Sequence, residues 1–576
     1  MTIIVSGGQV SAALTKSPFA FPLPIRSPDF QNIKFTDGVA SGDVSQNSVV
    51  LWTRVNQQGR LTLDVSTFPD FKIPDFKKSN IPALKENDFT AKVTVTGLKP
   101  NQQYFYRWSA GRIVSELGTF KTAPTTAVAT NIRFSWSGDT DVSTIDGKRV
   151  FGNWRSLLSA LFERPDFFVY LGDVIYSDSR AGGDPRVPAA QTLDEFRQIY
   201  KDSRDIFALR TLLQRVPTYP LWDDHEVRSD WAGQTVDRFF YNIGNKAFQE
   251  YMPIGKVQTA NTEAQCAGPP QYRVFHWGKA ADVIIIDTRS CRSDNAQNIC
   301  KGDIAPTLPA FVRNQFPAFF PPQLPPGCIN AVNDPTRTML GNTQKAMFKD
   351  ALAHSTAKYK FVISSVSMQQ AYIFPYDRWE GYSAERNEIL NFIRDNHIQN
   401  VIFLTTDEHL NMMNDVFIDR FTNPTPIAYE FITGPIAALT DENNILKIFP
   451  VQGPQAVKAK QDILNLVVGV DCSNLNAFSY GSVDINSKTG VANVTLKDES
   501  GRTIRDETNQ NIACTKTFGT ESSTSSSPTS TTQNLDTPKS TTNSIEGLLQ
   551  QQQKNRTEGM FLQQEEARQM DRNFPG

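Results

Sequence analysis

The feature that most constrains this chain is a buried-strand pattern that stops at an acidic residue. Residues 167–171 are all apolar or aromatic, and Gly172 and Asp173 follow directly. Such a run after a helix-like segment predicts a buried strand of an α/β sheet. Asp173 would then lie at the strand's carboxyl end, where open α/β sheets bind ligands, with Tyr176 within reach. An aspartate and a phenol together are hard oxygen ligands for a metal ion, whereas a helix cap or turn is the structural alternative for Asp173.

The same pattern recurs along the chain. Other apolar runs end at or near Asp139, Asp224 and Asp407, and helical segments alternate with them from about residue 126. This alternation predicts an α/β region in which the strand ends meet. Together with Asp173 these residues make four acids at one place, and four carboxylates so close together cannot all stay ionised without positive charge nearby. We therefore expect a cluster of cations, two of them about 3.5–4 Å apart and bridged by Asp173, as in sites that displace groups at phosphorus.

The length of 576 residues predicts more than one domain. Residues 1–30 are rich in Pro and Ser and predict an extended lead-in. Residues 31–125 predict a small all-β sandwich of the fibronectin-III or immunoglobulin type, and residues 126–515 predict the catalytic α/β domain. Residues 516–576 form a Ser/Thr-rich linker and a Gln-rich tail, which we expect to be disordered or partly helical.

Composition narrows the class of partner. A net charge of −2 gives no reason to expect nucleic acid or an anionic membrane as the main partner. No apolar run reaches the ~18 residues of a membrane span, so no transmembrane segment is predicted. The first residues lack a basic region and a long apolar core, and so do not predict a clear signal peptide. An internal location, an atypical export signal and a start further upstream all remain open.

The six cysteines include no Cys-x-x-Cys pair, so a zinc ribbon is not predicted. Four of them lie in the Pro-rich stretch 260–330, which predicts a long irregular insertion: Cys266, Cys291, Cys300 and Cys328. Disulfides in this stretch would imply an oxidising compartment. Free buried thiols are the alternative.

Two of the five histidines stand at predicted strand ends. His225 follows Asp224 directly, a position suited to a general acid that protonates a leaving oxygen. His409 lies two residues after Asp407, so both side chains could bind one ion. We expect the remaining three to be structural: His276, His354 and His397.

Four motifs in a fixed order carry a family resemblance. They are Gly172-Asp173-x-x-Tyr176, then 221–227 with Trp-Asp-Asp-His-Glu at its centre, then 286–289, then Asp407-Glu408-His409. Together they resemble the PhoD-like alkaline phosphatases of the calcineurin-like metallophosphoesterase superfamily. Residues 35–43 and 50–54 look like that family's N-terminal β-domain, and the resemblance extends over about residues 31–515.

The resemblance implies a metallophosphoesterase-type β-sandwich flanked by helices and preceded by the small all-β domain. It implies metal-dependent hydrolysis of small phosphate monoesters or phosphodiesters by a metal-bound hydroxide, with Fe³⁺ and Ca²⁺ as cofactors and other divalent metals as alternatives. Together with the cysteines it favours a secreted or otherwise extracytoplasmic protein. The exact substrate and the oligomeric state are left open.

Carried over by position, the resemblance also implies residue roles. The metal ligands would be Asp139, Asp173, Tyr176, Asp224, Asp407 and His409. His225 would be the acid, standing where the wider superfamily has its acid histidine. Arg289 would contact the phosphate as a bidentate donor, with a structural ion pair as the alternative.

The chain departs from the family pattern at several points. Asp139 stands where the family often has Cys, Asp224 where the wider superfamily has Asn, and Thr406 where a Gly is usual. Glu408 adds a charge near the predicted site, and Asp230 is a candidate further ligand. The competing hypothesis from another functional class is a non-catalytic surface or interaction protein on a phosphatase-like fold.

Overall fold

A computed structural model describes residues 32–255, 263–303, 305–314 and 323–519 of the chain. The predicted lead-in and nearly all of the predicted tail lie outside these residues. Within them, no helix is both long enough and apolar enough to span a membrane.

The strands of this part of the chain, in order, are β1 Phe35–Gly42, β2 Ser48–Val55, β3 Gly59–Ser66, β4 Phe76–Ala83, β5 Thr90–Thr96, β6 Gln103–Ala110, β7 Ile113–Val114, β8 Gly118–Lys121, β9 Ile132–Ser137, β10 Thr144–Ile145, β11 Lys148–Arg149, β12 Phe167–Leu171, β13 Thr218–Leu221, β14 Arg273–Trp277, β15 Ala281–Ile285, β16 Tyr359–Ile363, β17 Val401–Thr405, β18 Asn411–Val416, β19 Ala428–Ile432, β20 Cys472–Asn474, β21 Ser479–Asn486, β22 Val491–Asp498 and β23 Thr515–Phe518.

The α-helices are α1 Arg155–Phe162, α2 Arg180–Gly183, α3 Leu193–Arg204, α4 Phe207–Arg215, α5 Arg238–Tyr251, α6 Ala310–Arg313, α7 Cys328–Val332, α8 Asn342–His354, α9 Ser383–Asp395, α10 Asp441–Ile448 and α11 Gly453–Ile463. Short 3₁₀ turns occupy Lys85–Asn87, Pro375–Asp377 and Trp379–Tyr382, and a π-helical turn, Leu464–Val468, follows α11. Helix α3 begins with a capping box, in which Thr192 and Glu195 satisfy each other's main-chain amides.

Two large sheets form the centre of the molecule. The first has nine strands in the order β23-β22-β21-β9-β12-β13-β1-β2-β5, and the second has seven in the order β14-β15-β16-β17-β19-β18-β20. Strands β9, β12 and β13 run parallel in the first sheet, as do β15, β16, β17 and β19 in the second. Parallel neighbours place their carboxyl ends at one edge, where the predicted acids follow.

The sheets pack face to face through aromatic side chains. Phe134 of β9 meets Phe361 of β16 edge-on at 5.0 Å between ring centroids, and Phe167 of β12 meets Trp277 of β14 at 4.6 Å. Aromatic pairs at such separations contribute beyond the area they bury. Helices on the outer faces complete the layers, and the predicted α/β sandwich flanked by helices is confirmed.

The N-terminal all-β region is divided between two sheets. Strands β3, β4, β6, β7 and β8 form a separate five-stranded sheet, whereas β1, β2 and β5 extend the nine-stranded sheet. The link is a parallel pairing of β1 with β13, in which Gly42 is opposite Thr218, and the Asp43 amide donates to the Thr218 carbonyl at 3.0 Å. The all-β domain expected over residues 31–125 thus shares a sheet with the region expected over residues 126–515.

Three disulfides link the cysteines in pairs: Cys266–Cys291, Cys300–Cys328 and Cys472–Cys514. The first two lie in the stretch 260–330, which was predicted to be a long irregular insertion. That prediction is only partly right, because residues 273–277 and 281–285 form strands β14 and β15 of the seven-stranded sheet. The disulfide alternative is therefore the one observed, and the free-thiol alternative is not.

Candidate metal centre

Three acids of the cluster that follow strands lie on a sharply turned backbone. Asp139 after β9, Asp173 after β12 and Asp407 after β17 have φ values of 60°, 47° and 71°, and His409 has 55°. Non-glycine residues adopt this left-handed conformation at a cost of about 1–3 kcal/mol each, and such residues gather at functional sites. The turns bring the side chains of both sheets to one place.

Close backbone packing at this edge requires glycine at two positions. A Cβ on Gly138 would lie 1.9 Å from the carbonyl oxygen of Leu171, at the end of the neighbouring strand. A Cβ on Gly434 would lie 2.3 Å from Oδ2 of Asp139. A side chain at Gly434 would thus occupy the space next to the Asp139 carboxylate.

The structure brings the predicted ligands into three overlapping groups, each with its ligand atoms within 4.8 Å of one another. The groups are Asp139 with Asp173 and His409, Asp173 with Asp224 and His225, and Asp223 with Asp224 and Asp407. Asp173 belongs to the first and second groups and Asp224 to the second and third, so each of these two carboxylates links two groups. Tyr176 joins the first group, because its hydroxyl lies 2.8 Å from Nε2 of His409.

The donor set fits cations. Both carboxylate oxygens of Asp139 and Oδ1 of Asp224 are buried, and no donor in the described part of the chain forms a hydrogen bond with them. Buried carboxylate oxygens normally accept hydrogen bonds, and leaving them unpaired is costly. Carboxylate, phenol and imidazole groups aimed at one space are the ligands that a cation would complete.

Burial sets the pKa values of the cluster. It raises the pKa of Asp139, aided by Asp223 and partly offset by the nearby Asp407 amide. Burial likewise raises the pKa of Asp173 and of Asp407. It also tends to raise the pKa of Asp224, but His225 and Arg289 outweigh it and leave that pKa lowered. Without added positive charge the cluster cannot carry all of its negative charges, as expected for a site built around cations.

The His409 ring is held in its neutral form. Its Nδ1 donates to the carbonyl oxygen of Leu439, which leaves Nε2 as an acceptor that faces Tyr176 and, at 4.0 Å, Asp139. Burial lowers the pKa of His409 to about 4. Burial and the neighbouring carboxylates raise the pKa of Tyr176, so the phenol keeps its proton until a cation is bound.

His225 has the opposite setting. Its Nδ1 lies 2.6 Å from Oδ1 of Asp178, its Nε2 lies 3.9 Å from Asp173, and its ring stacks on Tyr176 at 4.3 Å. Burial tends to lower its pKa, but Asp224, Asp173 and Asp178 outweigh burial and raise the pKa well above the ordinary value. The surrounding carboxylates therefore favour the protonated ring, whose Nε2 edge faces Asp173.

Arg289 is placed in an ion-pair network. The side chain is fully buried, and it forms two hydrogen bonds with Asp223, at 2.7 and 3.1 Å, and two with Asp377, at 2.8 and 2.7 Å. Its distance to Asp224 is 3.8 Å. Of the two roles considered for Arg289, the ion pair is the one observed, and its donors are engaged by carboxylates.

Two residues at which the chain departs from the family pattern, Glu408 and Asp230, interact with neighbouring side chains. Glu408 pairs with Arg378 at 2.9 Å and accepts a hydrogen bond from Ser367, so its charge is neutralised locally. Asp230 is exposed, and its main-chain amide donates to Oδ2 of Asp224 at 2.6 Å. It thus contacts the cluster through its main-chain amide, which holds the Asp224 carboxylate. His276, His354 and His397 do not enter the metal-ligand groups, and His276 pairs with Asp282.

Sequence reasoning missed several residues of the site. Asp178 and Asp377 were not singled out, although Asp178 follows Tyr176 by only two positions. Glu226 stands in the Trp-Asp-Asp-His-Glu motif, but the sequence suggested no role for it. It is fully buried and accepts main-chain amides from Val174 and Asp223; burial raises its pKa to about 8, and these amides oppose the rise.

Comparisons with known proteins cover most of the chain. A family model described as PhoD-like phosphatase matches residues 145–495, and a model described as PhoD-like phosphatase, N-terminal domain, matches residues 22–124. Alkaline phosphatase D of Bacillus subtilis (strain 168) is 26% identical over 452 residues, which cover 72% of this chain and 71% of the relative.

Two solved structures show the same fold. A structure of PhoD matches with a TM-score of 0.64 and 22% identity, covering 81% of this chain and 86% of the other. A purple acid phosphatase from yellow lupin (Lupinus luteus) seeds matches with a TM-score of 0.50 and 11% identity, covering 83% and 73%.

Proposed function

Since the chain belongs to the PhoD-like phosphatase family and is a metal-dependent phosphate ester hydrolase, we propose that the cluster at the strand ends is its catalytic centre. The observation that carries this proposal is the set of buried carboxylate oxygens without hydrogen-bond donors among the described residues, at Asp139 and Asp224. Cations at this place would satisfy these oxygens and balance the charge of the cluster.

Six side chains would hold the ions: Asp139, Asp173, Tyr176, Asp224, Asp407 and His409. We propose Fe³⁺ beside Tyr176 and Ca²⁺ among the carboxylates, because a phenolate suits a trivalent ion and carboxylates suit a hard divalent one. Other divalent metals fit the carboxylate positions as well. Bound ions would neutralise the phosphoryl oxygens and lower the pKa of the attacking water.

Three residues near the proposed ions would donate the proton or hold other side chains in position. His225 holds a proton on the ring edge near Asp173 and donates it to the leaving oxygen of the ester. Asp178 orients the ring by accepting from Nδ1. Arg289 fixes Asp223 beside Asp224 and acts through these carboxylates, in place of the phosphate contact expected from the sequence.

The substrates that this centre suits are phosphate monoesters and phosphodiesters of small molecules. The proposed division of labour assigns the chemistry to residues 126–515 and a positioning or shielding role to residues 31–125. The three disulfides, together with the family relationship, point to an extracytoplasmic location, where such bonds persist.

Elemental analysis of protein purified without chelators, with an absorption spectrum of the same sample, tests the proposal. Near-stoichiometric iron and a visible tyrosinate-to-iron band would support the role of Tyr176. Calcium or zinc without iron would retain the phosphatase and overturn that role. Folded protein without any metal would overturn the proposed centre and favour the non-catalytic interaction protein.

A further inference from the structure

The side chain of Glu226 links the loop that follows β12 to the loop that follows β13. Its side chain is fully buried, its Oε1 accepts the main-chain amide of Val174 at 2.5 Å, and its Oε2 accepts the amide of Asp223 at 2.8 Å. Val174 directly follows the ligand Asp173, and Asp223 directly precedes the ligand Asp224. One rigid carboxylate therefore spans the loop after β12 and the loop after β13.

The geometry leaves little freedom between these loops. The amide of His225 donates to Oδ1 of Asp173 at 3.1 Å, which is a second link between the same two loops. Behind Glu226, helix α5 packs so closely that a Cβ on Gly244 would lie 2.4 Å from the Glu226 carbonyl oxygen. The Glu226 backbone is thus anchored on the helix while its carboxylate holds both loops.

We propose that Glu226 is a positioning residue that sets the spacing between Asp173 and Asp224 by accepting one main-chain amide from each of their loops. This inference rests on the proposed function, because it takes these two aspartates as metal ligands. Residues that hold ligands in place without touching the metal commonly change metal affinity by about 10–100-fold when replaced.

The chain offers a matched control in Glu385. This glutamate is also buried and also accepts adjacent main-chain amides, those of Met339 and Leu340, together with the hydroxyl of Thr338. None of these partners adjoins a proposed metal ligand. Replacing Glu385 by Gln therefore removes a similar buried interaction without touching the loops of the centre.

The experiment compares wild-type protein, Glu226→Gln and Glu385→Gln, each purified without chelators. Metal content is measured first, and the rate of metal release into excess EDTA is then followed by elemental analysis. Gln keeps the size of the side chain but presents an NH₂ group to one of the two amides, so one link is lost. We expect Glu226→Gln to release metal at least about tenfold faster than wild type and Glu385→Gln to release it at the wild-type rate.

Release from Glu226→Gln at the wild-type rate, or equal acceleration in both variants, would overturn the inference while leaving the proposed function intact. Wild-type protein without metal would instead overturn the proposed function. If Glu226→Gln does not fold, Glu226→Asp takes its place, because it keeps the charge but is one methylene too short to reach both amides. Failure of both Glu226 variants to fold, with Glu385→Gln folded, would mean that the residue serves the fold and would also overturn the inference.

Discussion

The two ends of the metal centre place a histidine in opposite settings. At one end, Nδ1 of His225 meets the carboxylate of Asp178, and the surrounding acids raise the pKa of the ring well above its ordinary value. At the other end, Nδ1 of His409 meets the carbonyl oxygen of Leu439, and burial lowers the pKa of the ring to about 4. The two rings contact the same tyrosine, Tyr176.

This difference supports the proposal that one cluster both holds metal and moves protons. A carboxylate at Nδ1 stabilises the doubly protonated ring, whereas a carbonyl fixes a neutral ring with a free Nε2 lone pair. The His409 end is therefore suited to metal binding and the His225 end to proton donation. The following variants test this contrast, in order of decreasing expected effect.

The largest effect is expected for Asp173→Ala, because Asp173 lies in the groups of both ends. We expect loss of metal and a fall of activity to the level of a protein-free control, since neither ion keeps its shared ligand. Metal content and phosphate release are measured together. The control is Asp350→Ala, because the Asp350 side chain is exposed on the outer face of helix α8. Full activity of Asp173→Ala would contradict the assignment.

His409→Ala breaks the metal-binding end alone. We expect partial loss of metal, and a fall in activity greater than the 10–100-fold that loss of an outer hydrogen-bond partner typically costs. Elemental analysis and the absorption spectrum of the purified variant measure this effect. The control is His354→Ala at the exposed end of α8, and an unchanged spectrum in His409→Ala would show that His409 is not a ligand.

His225→Gln breaks the proton-donating end alone. We expect metal content to stay at the wild-type level while kcat falls about 10²–10⁴-fold for esters with alkyl leaving groups, which need protonation. The fall should be smaller for nitrophenyl esters, whose leaving groups depart unprotonated. Equal losses for both kinds of ester would argue against a general acid at this position.

Asp178→Asn sharpens the contrast with the smallest change. A raised pKa means that the His225 proton is present below that pKa and is lost as the pH rises through it. Removing the Asp178 charge lowers this pKa, so the alkaline limb of the pH–activity profile should move to lower pH by roughly one unit or more. The profile of wild type is compared with that of the variant at saturating metal. An unmoved alkaline limb would separate Asp178 from the protonation of His225.

Much of the centre could be predicted from sequence because its signals are local. An apolar run that ends at an acid marks both a buried strand and a candidate ligand, and β12 spans the predicted run 167–171. Asp139, Asp173 and Asp407 were found in this way. The loops that turn them inward add no pattern of their own, yet the strand ends suffice to bring them together.

The remaining parts depend on contacts that are remote in sequence. The partners of Arg289 are 66 positions before it, at Asp223, and 88 positions after it, at Asp377, so burial and charge pairing could not be chosen over phosphate binding. The pairing of Cys472 with Cys514 likewise joins residues 42 positions apart. The extension of the catalytic sheet by β1 depends on a contact between strands separated by more than 170 residues.

The pairing of β1 with β13 makes the catalytic region depend on the N-terminal region for one edge of its sheet. Strand β13 carries the loop with Asp224 and His225, and β1 covers the side of β13 that β12 leaves open. A shortened protein that began after residue 124 would expose this strand as an unpaired edge beside the catalytic loop, an arrangement that invites aggregation. The two regions are thus not independent modules. A protein without the N-terminal region would lack the strand that pairs with β13 and supports the loop with Asp224 and His225.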